Sequence, residues 1–236
     1  MPVDRLTAPL ATFTDTRLAA HRLAAYVVSP ARRRATGRIG LRAGAGAVYV
    51  TPPFDGQVVR LEPDRLVRDR DGRREEAPVA TLGEAAAFLL GGPPDLEYAA
   101  GFDVPDAGDP DAVLPLDPAA AAQLGAWFRF GFAILATMRD EAGADASEIQ
   151  LWPEHFDAAV DAPRGHGRIT FGASPGDVTS DEPYLYVLPP GPVDRDETWN
   201  ATGFTGAALP LSAFVGADDQ RAAALAFLRG RRDAVA

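Results

Sequence analysis

The sequence predicts an α+β fold, with antiparallel sheets and packed helices, and three observations indicate it. Short strand-like runs lie between turn-forming residues. Segments with apolar residues three and four positions apart, the pattern of a helix with one buried face, flank those runs. The order helix, strands, helix occurs twice, and two such halves would pack as antiparallel sheets with helices on one side. We therefore expect two similar halves that form one unit.

The first half is predicted over residues 12–92. A helix runs from Asp15 to Val28, and Pro30 is expected to end it because proline cannot donate a backbone hydrogen bond. Three arginines at 32–34 suit the negative end of that helix. Asp71-Gly72 marks a tight turn. The predicted strands are Arg38–Leu41, Ala47–Thr51, Gln57–Leu61 and Arg65–Arg68, and a second helix is predicted at Leu82–Leu90.

The second half is predicted over residues 117–236, within a single domain of residues 1–236. A Gly-, Pro- and Asp-rich connection over 91–118 joins the halves, and it is either a lid over a site or a plain linker. Asp117 is expected to cap a long helix with a buried aromatic stripe. Strands are predicted at Glu148–Leu151, Arg168–Gly172 and Tyr184–Leu188, and a final helix at Ala217–Arg232.

Composition excludes several classes of function. The net charge of −10 argues against a nucleic-acid partner, which needs a basic surface. The chain has no cysteine and no lysine, so thiolate, disulfide and Schiff-base chemistry are excluded. No apolar run approaches the roughly 20 residues of a membrane span, and no export signal is recognisable at the N-terminus. We expect no membrane association and a cytoplasmic location.

Polar and aromatic residues concentrate between Glu148 and Val187, and His155, Asp157 and Glu182 are the candidate catalytic residues there. If residues 154–158 are extended, His155 and Asp157 project from one face while Phe156 enters the core. Imidazole with carboxylates is a ligand set for Mn, Fe or Zn, and without metal the same groups act as general acid and base. An exposed polar edge, or a histidine paired with an aspartate, is the structural alternative.

The sequence Gly172-Ala173-Ser174-Pro175-Gly176 matches the G-x-S-x-G nucleophile motif, but its chemistry does not fit. In that motif the residue after the serine donates its backbone N–H to the oxyanion, and Pro175 has none. A type II turn is expected here instead, with Pro fixing the first φ and Gly taking the positive second φ.

Aromatic residues in the same region suggest the wall of a pocket. Trp152, Tyr184, Tyr186 and Trp199 could supply apolar area with a polar tip, although ordinary strand packing is the favoured explanation for the two tyrosines, since alternation puts them on one side. We assign Trp152, Ser174, Asp177 and Tyr184 as candidate ligand-binding residues. Of the other histidines, His21 is expected at the edge of the core and His166 at an exposed hairpin tip.

Three blocks in the last third of the chain carry a resemblance. They are Trp-Pro-Glu-His-Phe-Asp at 152–157, Gly-Ala-Ser-Pro-Gly-Asp at 172–177 and Glu-Pro-Tyr-Leu-Tyr at 182–186. They resemble the signature of a family of uncharacterised bacterial proteins with W-P-x-H-F-D, G-x-S-P-G-D and E-P-Y-x-Y blocks in this order. The resemblance implies that the blocks belong together, and it implies no activity, cofactor or fold.

Two hypotheses for function follow. The first is a small-molecule site in the C-terminal third, with metal-assisted or acid/base chemistry at His155. The second is a noncatalytic binding or interaction module in which the same residues are structural. The sequence identifies neither a cofactor nor an oligomeric state.

Overall fold

A computed structural model of the protein describes residues 5–99, 102 and 104–235. It confirms the α+β class, with helices and two antiparallel sheets. The described residues fall into two compact units. We call residues 9–126 with 151–156 the N-terminal unit, and residues 5–8 with 127–150 and 157–235 the C-terminal unit.

The helices and strands have the following bounds. The helices are α1 (Phe13–Leu23), a π-helical turn (Ala24–Val28), α2 (Ser29–Thr36), α3 (Leu82–Leu90), α4 (Leu96–Ala99), α5 (Pro118–Ala142), a 3-10 turn (Leu211–Ala213) and α6 (Gln220–Asp233). The strands are β1 (Tyr49–Val50), β2 (Gln57–Leu61), β3 (Arg65–Arg70), β4 (Arg73–Pro78), β5 (Gln150–Trp152), β6 (Asp157–Arg164), β7 (Gly167–Ser174), β8 (Tyr184–Leu188) and β9 (Ala207–Pro210).

The sequence predicted that the first helix ends at Pro30, and this prediction is wrong. The helix continues through the π-helical turn into α2 and ends at Gly37, whose φ of 71° is left-handed. Because Pro30 has no N–H, the Tyr26 carbonyl loses its ordinary α-helical donor. The Asp95 N–H donates to that carbonyl at 3.0 Å, so the backbone tolerates the proline.

The sheet of the N-terminal unit has the order β1-β2-β3-β4, with each neighbouring pair antiparallel. Asp71 and Gly72 both have positive φ, which confirms the predicted turn. Strand β4 was not predicted because its sequence lacks alternating apolar residues. Ion pairs across the hairpin, Arg68 with Glu75 and Arg65 with Glu76, accompany its pairing with β3. Residues 38–41, predicted as a strand, form only an isolated bridge at Leu41.

The described residues of the connection over 91–118 form hydrogen bonds with the rest of the N-terminal unit. Leu114 N–H donates to the Ala80 carbonyl at 2.8 Å, and Gly83 N–H donates to the Pro110 carbonyl at 2.8 Å. The Tyr26 hydroxyl donates to the Pro105 carbonyl at 2.7 Å. These contacts along much of its length distinguish the segment from a free linker.

The second sheet has the order β5-β6-β7-β8-β9, and strands β6 to β9 pair antiparallel. Strand β6 was missed because it is alanine-rich and contains Pro163. Its alternate residues Ala158, Val160 and Ala162 are nevertheless buried. Buried side chains of β7 and β8 continue this apolar face, and they are Ile169, Phe171, Ala173, Leu185 and Val187.

Helix α5 packs closely on that apolar face. A Cβ added to Gly131 would come within 2.7 Å of the Ala173 Cβ, so glycine permits the approach of helix to strand. The predicted stripe is buried, including Trp127 and Phe128, and Phe130 is buried on a second side against Phe214. The predicted cap at Asp117 is confirmed, since its Oδ1 accepts from the Ala120 N–H at 2.8 Å.

By length and composition α5 is long and apolar enough to cross a membrane, alone among the helices of the described residues. Its most apolar window is 56% buried inside the protein. Burial of this kind is typical of the central core helix of a soluble protein.

The opposite face of the β6-β9 sheet depends on Gly172. Gly172 lies opposite Tyr186 in the β7-β8 register, and a Cβ at this position would overlap the Tyr186 ring. The bare backbone allows the ring to lie across β7, so that the Tyr186 hydroxyl reaches Asp157 on β6. Glycine in the interior of a strand here serves close packing.

We predict that Gly172→Ala destabilises the protein, because the added methyl group overlaps the Tyr186 ring. The expected loss is about 2–3 kcal/mol of unfolding free energy, or roughly 5–10 °C in melting temperature. Gly191→Ala is the matched control, because a Cβ there has no neighbour within 4 Å. Equal melting temperatures for the two variants would contradict the packing role of Gly172.

Candidate functional site

Three aspartate side chains on the polar side of the β6-β9 sheet accept hydrogen bonds from hydroxyl groups. Tyr186 donates to Asp157, and Thr170 Oγ1 donates to Asp161 Oδ1 at 2.6 Å. Beyond the end of β7, Tyr184 donates to Asp177. These three carboxylates are therefore hydrogen-bonded within the sheet and its connecting loop.

Asp177 organises the loop between β7 and β8. Its Oδ1 accepts from the Thr179 N–H at 2.7 Å, from the Thr179 hydroxyl at 2.6 Å and from the Ser180 N–H at 3.2 Å. Its Oδ2 accepts from the Tyr184 hydroxyl. Partial burial acts to raise the pKa of Asp177, but the hydrogen bonds from Thr179 and Tyr184 outweigh it, and the pKa lies below its usual value.

Ser174 and Gly176 form the bend that leads into this loop. Ser174 is buried at the end of β7, and its Oγ accepts from the Gly176 N–H at 3.2 Å. Gly176 has a φ of 102°, the positive value that the expected turn requires. The Asp177 N–H donates to the Ser180 carbonyl at 2.8 Å, and this backbone hydrogen bond closes a turn over residues 177–180. The bend brings Ser174, Asp177 and Tyr184 together.

The side chain of Glu182, predicted as catalytic, forms its hydrogen bonds with Ser212 and not with the loop that Asp177 organises. Its two carboxylate oxygens accept from the N–H and the hydroxyl of Ser212, each at 2.9 Å. This bidentate contact joins the start of β8 to the 3-10 turn after β9. Asp157, the other carboxylate predicted as catalytic, is buried at the start of β6 beside Tyr186.

Trp152 and His155 belong to the N-terminal unit, and the conformation there differs from the expectation. Residues 153–156 form a turn in which the Phe156 N–H donates to the Trp152 carbonyl at 2.7 Å. Phe156 has a φ of 56°, unusual for a bulky residue. The segment is not extended, so strand alternation does not place His155 and Asp157 on one face. His155 is exposed, and Phe156 is buried as expected.

His21 holds this turn in place. Its ring stacks on Phe156 with centroids 4.7 Å apart, and its Nε2–H donates to the Pro153 carbonyl at 2.9 Å. Burial lowers the pKa of His21 to about 3, so the ring is neutral at physiological pH. His21 is more buried than a core-edge position requires, whereas His166 lies at an exposed hairpin tip as predicted.

Two adjoining cavities open on the C-terminal unit beside Tyr184. They have volumes of about 340 and 250 Å³, and both are lined by Ala201, Thr202, Gly203 and Phe204. Trp199 and Arg195 line the larger cavity, and Tyr184, Thr179 and Asn200 line the smaller. We call the two together the cleft, and residues 201–206 the cleft loop.

Aromatic contacts join the cleft loop to the tyrosines of β8. The Phe204 ring stacks on Tyr184 with centroids 6.4 Å apart and meets Tyr186 edge-on at 5.9 Å. Burial and the neighbouring carboxylates raise the pKa of both tyrosines well above its usual value. Both phenols therefore remain protonated and keep donating to Asp177 and Asp157 at neutral pH.

The cleft loop was missed in the sequence because it contains no titratable residue. The stretch after Trp199 carries Gly, Thr and Phe, and of the residues that line the cleft the sequence predicted only Tyr184 and Trp199 as candidates for a pocket wall. An aromatic residue between two glycines in an irregular segment was the available signal. Among residues 5–99, 102 and 104–235, no group of three or more His, Asp or Glu side chains is placed to hold a metal ion.

Comparison of the chain with protein-family models, with curated proteins and with solved structures finds no match. The family resemblance of the last third of the sequence therefore stays a prediction.

We predict that Asp177→Asn destabilises the protein by about 1–3 kcal/mol at neutral pH, because it weakens hydrogen bonds to a charged acceptor. The pKa of Asp177 is lowered by folding, so this contribution is present above the ordinary value of 3.8 and is lost as the pH falls below it. The difference in unfolding free energy between wild type and variant, measured with urea, should therefore shrink below that pH. Asp181→Asn, an exposed neighbour in the same loop, is the control and should unfold like wild type.

We predict that His21 makes the protein sensitive to mild acid. Folding lowers the pKa of His21 from 6.5 to about 3. The stability that the neutral ring contributes is therefore intact above pH 6.5 and is lost as the pH falls from 6.5 towards 3. The expected loss is about 1.4 kcal/mol of unfolding free energy per pH unit in that window. His21→Phe should flatten this dependence in urea unfolding, and exposed His166→Gln should leave it unchanged. An unaltered slope in His21→Phe would assign the acid sensitivity to other groups.

Proposed function

We propose that the C-terminal unit binds a small molecule in the cleft and that the polar residues around it keep the binding surface rigid. One observation carries this proposal: aromatic side chains line the cleft, and a part-buried hydrogen bond holds one of them in place. Phe204 packs on Tyr184, and Tyr184 is tied to Asp177. Sites for small molecules combine preformed aromatic surface with polar groups that fix the orientation of the ligand.

Binding without catalysis fits the hydrogen bonding of the carboxylates. Asp177 accepts four hydrogen bonds, and Glu182 accepts two from Ser212. A general base needs a lone pair directed at its substrate, and carboxylates with this many internal donors suit a supporting role better. The proposal therefore joins the small-molecule site expected from the sequence with the noncatalytic alternative.

The proposal extends to the partner and the location of the protein. The net charge of −10 favours a partner other than nucleic acid, and the sequence favours the cytoplasm. A small metabolite is the partner that best suits a cleft of this size.

We predict that aromatic fragments bind the cleft and that Phe204→Ala weakens their binding by about tenfold, because one wall is lost. A fragment set titrated into ¹⁵N-labelled protein should shift the Trp199 indole N–H and the amides of the cleft loop. Phe227→Ala is the matched control, since Phe227 is also half-buried but lies on α6 outside the cleft. Fragment shifts confined to other surfaces, or equal effects of the two substitutions, would reject the cleft as the binding site.

A further inference from the structure

We infer that the cleft recognises the carboxylate of an aromatic acid through Arg195 and the backbone amides of the cleft loop. The inference rests on the proposed function and adds the chemical class of the ligand. Its three supports are an arginine without an ion-pair partner, a run of unpaired amides and an aromatic wall, all lining one cavity.

Arg195 is the charged side chain of the larger cavity. It is exposed, and no carboxylate among the described residues forms an ion pair or hydrogen bond with it. Many other arginines in the described part of the chain pair with acids, as Arg229 and Arg232 do with Glu141. Of the two acids adjacent to Arg195 in sequence, Asp196 is engaged elsewhere, because its Oδ1 accepts from the Thr198 and Trp199 amides. The Arg195 guanidinium therefore keeps its donors for a ligand.

The cleft loop adds neutral donors. The Ala201 N–H donates to the Gly206 carbonyl at 3.1 Å and closes the loop. Between them, the amides of 202, 203, 204 and 205 donate to no other group within the described residues. Runs of free backbone N–H groups form concave sites for anions. Arg195 lines the same cavity as these amides, so a carboxylate bound there would meet both kinds of donor.

The walls and the volume suit a ring attached to that carboxylate. Trp199 and Phe204 line the larger cavity of about 340 Å³. For comparison, an apolar cavity of roughly 150 Å³ holds benzene in another protein. The space accommodates an aromatic ring together with a short acidic side chain, and aromatic faces favour ring partners.

Charge favours a carboxylate over a phosphate. A single arginine offers one bidentate fork, and three acids, Asp194, Asp196 and Glu197, lie within two residues of it in an already acidic protein. A dianionic phosphate meets about twice the repulsion from these acids that a monoanionic carboxylate meets.

NMR titration with phenylacetate, its neutral isostere phenylacetamide and inorganic phosphate tests the inference. Phenylacetate should shift the amides of residues 202–205 and bind about tenfold more tightly than phenylacetamide. Arg195→Gln should remove this preference while leaving the affinity for phenylacetamide unchanged. Arg73→Gln is the matched control, because it removes the same charge from an exposed arginine on β4 and should leave both affinities unchanged.

Each other outcome has a distinct meaning. Equal binding of acid and amide in the cleft would overturn the anion inference and leave the proposed function standing. Tighter binding of inorganic phosphate would overturn the carboxylate class. Absence of any shift in the cleft with all three probes would overturn the inference and contradict the proposed function as well.

Discussion

The C-terminal unit depends on the close approach of the Tyr186 ring to the bare backbone of Gly172. Because no side chain projects there, the ring crosses β7 and its hydroxyl reaches Asp157 on β6. One contact thus joins three strands on the polar face of the sheet. It also sets the position of Tyr184, two residues along the same strand, and so the surface on which Phe204 rests.

The density of acids and tyrosines in the last third of the sequence has a structural explanation. A sheet that carries α5 on its apolar face and the cleft loop over its other face encloses polar groups on that second side. Buried carboxylates are stable only when donors satisfy them, and the tyrosine, threonine and backbone donors do so here. A cluster of this kind can therefore serve to hold a sheet and its loops together.

Sequence patterns predicted the elements whose own residues decide their structure. Helix α3 and strands β2 and β8 have the predicted bounds, because caps and alternating burial are local signals. The path through Pro30 could not be predicted, since the donor that satisfies Tyr26 comes from Asp95 far along the chain. Strand β4 and the turn at 153–156 similarly depend on partners, namely β3 and His21. The cleft was hidden for the same reason: its walls come from separate segments.

The edge of strand β9, beside the cleft loop, is protected against pairing with strands of other chains. As the last strand of its sheet it would expose unpaired backbone groups, which attract other chains. Asn200 prevents this at Ala208, because its side chain both accepts from the Ala208 N–H at 2.9 Å and donates to the Ala208 carbonyl at 3.2 Å. The side-chain amide thus replaces a neighbouring strand and anchors the loop beside it. The free donors of residues 202–205 are then confined to a short loop that the hydrogen bond from Ala201 to Gly206 closes.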